Sequence, residues 1–416
     1  MVLNSTFKVL DDFPTLDSTG TYVMKNTHGC NELGIEDLSR RDLIRLAGAS
    51  ALGISGFTNA LAATSSEAAT TKAKTNLPWP AVGCFASKVV VGPHRSEAKV
   101  MLDRGDLLGL PAQSAFIYGN VRDDEGNLSE WVRMFNFEPG ATKQGLFVQS
   151  SAGADTLRAV PQIFAGAASE YEAGLEADTA VWKTAKGAKG KPFRVTMAAD
   201  GSSVTWFEEG VLDLKGSLLG PGLQWHIPDP LGSELYVSQI YEMKGTALGK
   251  PVRGVIAFDK VHLPKGQMLY GGKDPLFRPT QHHRTWYTWG TRYKDGSYDA
   301  GHFVLGTDRM GFALLTNERQ ELVLDTDVTG KIELTPNEPW PRQVTVRTSS
   351  GVEWELLPDP KGRMPDMLGT GATTAFTPQT EGRWRRVGDR REPAVWFAWG
   401  EVAPRGRTEY SREYRI

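Results

Sequence analysis

One acidic residue stands where acid–base chemistry could be done. Asp259 ends the apolar run Val255-Ile256-Ala257-Phe258. A carboxyl group in apolar surroundings keeps its proton towards neutral pH, because burial disfavours the charged form. Three residues on, His262 could act as a base that activates water. Each residue also has a plainer role. An aspartate closing a strand can bind the amides of the next turn, and a lone histidine there can be hydrogen-bonded structure. Further along, Tyr287, Trp289 and Tyr293 share one parity. On a strand of period two they point to one face. That face could line an apolar pocket, or it could be ordinary core. His302 and Asp299 lie on the returning strand, which can come near this row.

Other chemistries lack their residues. No Cys-x-x-Cys, His-x-His or His-Glu-x-x-His pattern is present. The adjacent His282-His283 would point to opposite faces of a strand, so no metal is expected. No phosphate-binding loop, dinucleotide fingerprint or Gly-x-Ser-x-Gly elbow occurs, so no cofactor is expected. Glu353 and Glu355 flank Trp354 and are the natural carboxylates of a sugar site. They share one strand face, which suits solvent equally well, and glycosidase carboxylates normally oppose each other across a cleft.

The elements that must position these residues read as strands. After residue 76 no segment sustains a helical apolar period. Short runs such as Ser114–Gly119, Ser129–Phe137, Phe193–Met197, Leu235–Tyr241 and Val252–Phe258 alternate with Gly- and Asp-rich turns. Leu248-Gly249-Lys250-Pro251 reads as a hairpin connection, and Asp295-Gly296 joins Trp286–Tyr293 to Tyr298–Leu305 as another. The short alanine-rich stretch Ile163–Ala173 is the one candidate helix. The expected fold is all-β, two similar barrels in tandem. Residues 77–268 would form the first domain and 269–416 the second.

The N-terminal region reads as an export signal. Ser39-Arg40-Arg41-Asp42-Leu43-Ile44-Arg45 precedes a mild apolar run from Leu46 to Leu61, and Ala60-Leu61-Ala62 fits a cleavage site. Residues 1–62 are therefore expected to be an N-terminal extension and twin-arginine signal. Residues 63–76 read as a flexible tether. The twin-arginine translocase would be a partner during export, and the mature chain would be periplasmic or extracellular. A retained membrane anchor is the other reading of the apolar run. Of the two cysteines, Cys30 precedes the cleavage site, leaving Cys84 without an internal disulfide partner. The net charge of -2 and the absence of a basic, aromatic-interleaved run argue against a nucleic-acid partner.

The middle of the chain resembles the family of carotenoid 1,2-hydratase (hydroxyneurosporene synthase) and AttH-like proteins. The resemblance rests on Tyr236-Val237-Ser238, Gly245, Gly249-Lys250-Pro251-Val252-Arg253-Gly254 and Phe258-Asp259-Lys260. It extends to Trp286–Tyr293 with Asp295-Gly296, and to the late strand Trp396–Glu401. It covers roughly residues 235–315 and that late strand. Where the family has Asp-His-x-Trp, this chain has Asp259-Lys260-Val261-His262. The resemblance implies two lipocalin-like antiparallel β-barrel domains in tandem. It also implies water addition to an isoprenoid-like alkene, or an isomerisation. Asp259 would be the acid and His262 the base, with Trp286, Tyr287, Trp289, Tyr293, His302 and Trp399 against the substrate. A barrel of this kind could instead be a non-catalytic carrier of a hydrophobic ligand, and a third reading is a carbohydrate-active protein.

Overall fold

Residues of alternating polarity from Val90 onwards form strands, and each pairs antiparallel with a neighbour. The computed structural model describes residues 89–137, 146–227, 233–266, 283–306, 311–336, 340–363, 379–402 and 413–415. The export signal, the tether, both cysteines and His282 lie outside the described residues. So does the expected boundary at 268. The described residues all fall within one unit, Ala73–Ile416.

The first sheet opens with β1 (Val90–His94), β2 (Ala112–Asp123), β3 (Leu128–Asn136), β4 (Leu146–Ser150) and β5 (Arg158–Ala159). It continues with β6 (Tyr171–Glu176), β7 (Thr179–Thr184), β8 (Phe193–Met197), β9 (Ser203–Glu208) and β10 (Leu212–Leu218). It ends with β11 (Gly222–Ile227), β12 (Glu234–Ala247) and β13 (Lys250–His262). The spatial order is β5-β4-β3-β2-β13-β12-β10-β9-β8-β7-β6. The long β12 forks this sheet: Glu234–Ser238 pairs with β11, which pairs with β1, while Tyr241–Ala247 pairs with β10.

The second sheet contains β14 (His283–Tyr293), β15 (Tyr298–Gly306), β16 (Gly311–Asn317), β17 (Leu322–Asp325) and β18 (Thr329–Leu334). It also contains β19 (Pro341–Arg347), β20 (Glu353–Arg363), β21 (Gln379–Arg386), β22 (Pro393–Val402) and β23 (Glu413–Arg415). Its order is β17-β16-β15-β14-β22-β21-β20-β19-β18-β23. Two short helices, α1 (Ala98–Leu102) and α2 (Pro161–Gly166), complete the described elements. Neither is long enough to cross a membrane. The architecture is all-β, two curled antiparallel sheets in tandem.

Each sheet curls around its own core. In the first, Phe135 on β3 lies 6.0 Å from Trp182 on β7 and 6.0 Å from Phe193 on β8, although these strands are far apart in sheet order. The Arg133 guanidinium donates to both Glu208 oxygens across the same space, at 2.5 and 2.6 Å. In the second, Phe303 on β15 lies 5.8 Å from Trp354 on β20.

A third apolar cluster belongs to neither core. It lies where β2, β12 and β13 of the first sheet meet β14, β15, β16 and β22 of the second. These strands bury both faces, so their sequences read as near-continuous apolar runs. Gly290 permits the close approach: a Cβ there would lie 3.1 Å from Val255 Cγ1.

The Arg133–Glu208 pair is buried, and Trp206 Nε1 also donates to Glu208, at 2.9 Å. Glu208→Ala would leave a guanidinium buried without its counter-charge, a loss of about 3–5 kcal/mol. Chemical denaturation of the variant checks this, and a loss under ~1 kcal/mol would mean that the pair does not hold the curl.

Candidate active site

Asp259 faces the junction. On β13 the residues Val255, Ala257 and Val261 join the junction cluster, whereas Ile256 and Phe258 enter the first core. Asp259 does not end the strand, which runs on to His262. Its neighbour across the ladder is Ser238, which donates to Oδ1 at 2.5 Å. Tyr118 from β2 and Tyr236 from β12 both donate to Oδ2, at 2.6 and 2.8 Å. A carboxylate offers about four acceptor positions. Three are used, and one on Oδ1 is left for a proton. The residue has no exposed surface. Burial pushes its pKa up to about 7, against the three hydroxyls, which pull it down.

The hydrogen bonds continue across the junction. Tyr118 OH lies 2.9 Å from Thr288 Oγ1 on β14, which lies 3.1 Å from Nδ1 of His302 on β15. Because Tyr118 donates to Asp259, its oxygen accepts from Thr288, and Thr288 accepts from His302 Nδ1–H. The bare nitrogen is then Nε2, which is buried and finds no hydrogen-bond partner among the described residues. Burial pushes the His302 pKa down to about 3, so the ring is neutral. Thr288 and His302 are cross-strand neighbours, so the second sheet's own register sets this half of the chain.

Aromatic rings surround the polar atoms. Trp225 stacks on Tyr236 at 4.5 Å and lies 4.9 Å from His302. Trp286 is 6.2 Å from Tyr118, and Trp399 meets Tyr118 edge-on at 5.1 Å. These rings exclude water, which disfavours charge of either sign.

The structure brings together Asp259, Trp286, His302 and Trp399 of the residues picked out from sequence. It separates the rest. His262 lies an odd number of positions from Asp259 and turns to the opposite face. Its Nδ1 is 3.1 Å from the Leu110 carbonyl oxygen, and burial lowers its pKa. It is not placed to act beside Asp259. Tyr287 and Trp289 face the second core, against Trp384, Phe303 and Trp354. Tyr293 stacks under Arg391 at 3.8 Å and donates to Asp299 at 3.2 Å. The parity shared by Tyr287 and Trp289 is real, but that face is core, and the even positions Trp286 and Thr288 face the junction, where both meet Tyr118. Glu355 pairs with Arg385 at 2.7 Å, away from buried Trp354, and Glu353 is exposed. Tyr118, Thr288 and Trp225 carried no signal that linked them to Asp259. Tyr236 and Ser238 were visible as a motif, but their role appears only with the register of β12 on β13.

A raised carboxyl pKa makes folding bind a proton that the unfolded chain releases. The stability from Asp259 is fully present below its unfolded pKa near 4 and is lost as pH rises through about 7. Melting temperatures from pH 4 to 8 are therefore expected to fall more steeply for the wild type than for Asp259→Asn. Parallel curves would show that the carboxyl is not proton-linked to folding.

No protein-family model matches the chain, and no curated protein matches it in sequence. Three solved structures are similar in shape. A candidate AttH from Nitrosomonas europaea has 15% identity and a TM-score of 0.41, over 72% of this chain and 94% of that one. CghA, solved with Sch210972, has 8% identity and a TM-score of 0.41, over 76% and 98%. Kievitone hydratase from Nectria haematococca has 9% identity and a TM-score of 0.34, over 78% and 100%.

Proposed function

We propose that this protein is an exported enzyme of the hydratase kind, acting by acid–base chemistry on a hydrophobic, isoprenoid-like alkene. One observation carries the reading: a carboxyl without exposed surface, pushed up to about 7 and enclosed by aromatic rings where two sheets meet. The motif resemblance around Tyr236–Asp259 agrees with it.

The chemistry follows from the proton positions. Asp259 gives its Oδ1 proton to one alkene carbon and leaves a carbocation on the other. The faces of Trp286, Trp225 and Trp399 favour that charge by about 0.5–2 kcal/mol each. Water adds to the cation and loses a proton to His302 Nε2, the bare nitrogen. The histidine then releases its Nδ1 proton through Thr288 and Tyr118 to Oδ2 of Asp259, which makes the carboxyl neutral again and reverses both hydroxyls. His302 replaces His262 as the base in this scheme. The imidazole ends in its other tautomer, and the ring, the two hydroxyls and the carboxyl proton, which must return to Oδ1, reset by exchange with the water that enters with substrate.

The enclosure of Asp259 favours a second reading, in which the cluster only joins the sheets. A non-catalytic carrier would likewise bind without turnover. The experiment is incubation of the full chain with a terminal-alkene isoprenoid in ¹⁸O-labelled water. The expected product carries the label, and its rate of formation falls above about pH 7, as Asp259 ionises. Asp259→Asn should lower the rate by 10²-fold or more while tryptophan quenching still reports ligand binding. Binding without labelled product in the wild type would leave the carrier reading. Neither binding nor product would leave only the joining role.

Export rests on the paired arginines and the apolar run that follows them. A reporter fused to residues 1–62 should leave the cytoplasm, and Arg40→Lys with Arg41→Lys should hold it there. Equal export of both fusions would remove the twin-arginine route.

A further inference from the structure

A second polar group lies in the same junction, on the same face of β2 as Tyr118. Asn120 and Arg122 follow at two-residue spacing. Glu130, across the ladder from Asn120 on β3, has no exposed surface, and neither of its oxygens meets a hydrogen-bond donor among the described residues. Glu381 comes from β21 of the other sheet and is equally buried. Its Oε2 accepts from Asn120 Nδ2, and the Ala398 backbone amide also acts on this carboxyl, while Oε1 and the Asn120 Oδ1 have no hydrogen bond of good geometry among the described residues. The two glutamates thus meet at Asn120, one across the ladder from it and the other bonded to its amide. Burial holds both carboxyls well above the usual carboxylate range, and the charge of Glu381 adds to this at Glu130.

The charge account does not close with protein groups. Arg122 pairs with Asp359 at 2.7 Å and lies 4.4 Å from the Trp396 ring. The Arg122 guanidinium acts on Asp359 and Glu381, and Glu130 makes a third carboxyl. Two negative charges remain when all are ionised, in a place where unpaired charge costs several kcal/mol. Buried charges are paired, protonated or bound to metals. Among the described residues no group of three or more His, Cys, Asp or Glu side chains forms a metal site. Here there are two carboxylates and an amide, all oxygen donors.

We propose that Glu130, Glu381 and Asn120 hold a hard divalent cation, Mg²⁺ or Ca²⁺, between the two sheets, with water completing its coordination. Oxygen-only donors select such ions over zinc or copper, and Mg²⁺ commonly uses one or two carboxylates plus water. The cation supplies the two missing positive charges and ties β2 and β3 to β21. The alternative is that two protons neutralise the pair.

The test uses the full chain, stripped with a chelator and titrated with CaCl₂ or MgCl₂ at constant ionic strength. A saturable rise in Tm of about 5 °C is expected at excess cation. Glu130→Gln and Glu381→Gln preserve volume and should each abolish the rise, whereas Asp259→Asn should retain it. No saturable rise, or the same rise in both glutamine variants, overturns the site. So does a stability of Asp259→Asn that still falls with rising pH and ignores the cation, the mark of a protonated pair. Should the variants fail to fold, Tb³⁺ with the wild type still decides. Tryptophan-sensitised emission that Ca²⁺ displaces supports the site, through nearby Trp396, and its absence overturns it.

Discussion

The whole junction depends on burying one carboxyl group. An ionised carboxylate out of water costs several kcal/mol unless hydrogen bonds replace its hydration. Asp259 receives three such bonds, from Tyr118, Tyr236 and Ser238 on β2 and β12 of its own sheet. The bridge to the other sheet runs through Thr288. The first sheet alone would leave Tyr118 and Asp259 open to solvent. The second sheet covers them with Trp286, Phe397 and Trp399. Closing the junction and raising the acid's pKa are thus one event.

The same enclosure acts on His302 with opposite sign. A buried carboxyl is favoured in its protonated form and a buried imidazole in its deprotonated form, because both are then neutral. The usual order is therefore reversed: the carboxyl at about 7 holds its proton more tightly than the imidazole at about 3. An aspartate and a histidine in water near pH 5 would form an ion pair. Here they are a neutral acid and a neutral base, linked by two hydroxyls that can each pass a proton. The proposed addition of water calls for such a pair.

Much of the fold was legible, and less of the site. Alternation and Asp-Gly turns gave the strands, since a period of two and a positive-φ turn each have one physical cause. Gly296, with φ of 88°, occupies the turn read from Asp295-Gly296. Parity then said which residues share a face, but not which face. Tyr287 and Trp289 went to the core and Trp286 to the junction because strands between two cores bury both sides. His262 was paired with Asp259 by nearness in sequence, although a separation of three puts strand residues on opposite faces. The partners of Asp259 come from 141, 23 and 21 residues away. Only the register of β2 and β12 on β13 brings them to one point.

The polar stripe on β2 argues that the junction is more than adhesion between sheets. An interface of the same size could be wholly apolar, and replacing buried ion pairs by packed hydrophobic groups is often neutral or stabilising. Yet Tyr118, Asn120 and Arg122 alternate into it, and each meets a polar group anchored on the other sheet or leading to it. Sheets that only needed to adhere would gain nothing from this. A stripe of matched polar groups fixes one register, since a two-residue slip of β2 against its partners would set Asn120 at Asp259 and Tyr118 away from Thr288. The hydrogen-bond chain from Asp259 to His302 requires that register, because its links of 2.6, 2.9 and 3.1 Å leave no room for a slip of one residue. The second polar group thus serves the first by holding the two sheets in the register that links Asp259 to His302.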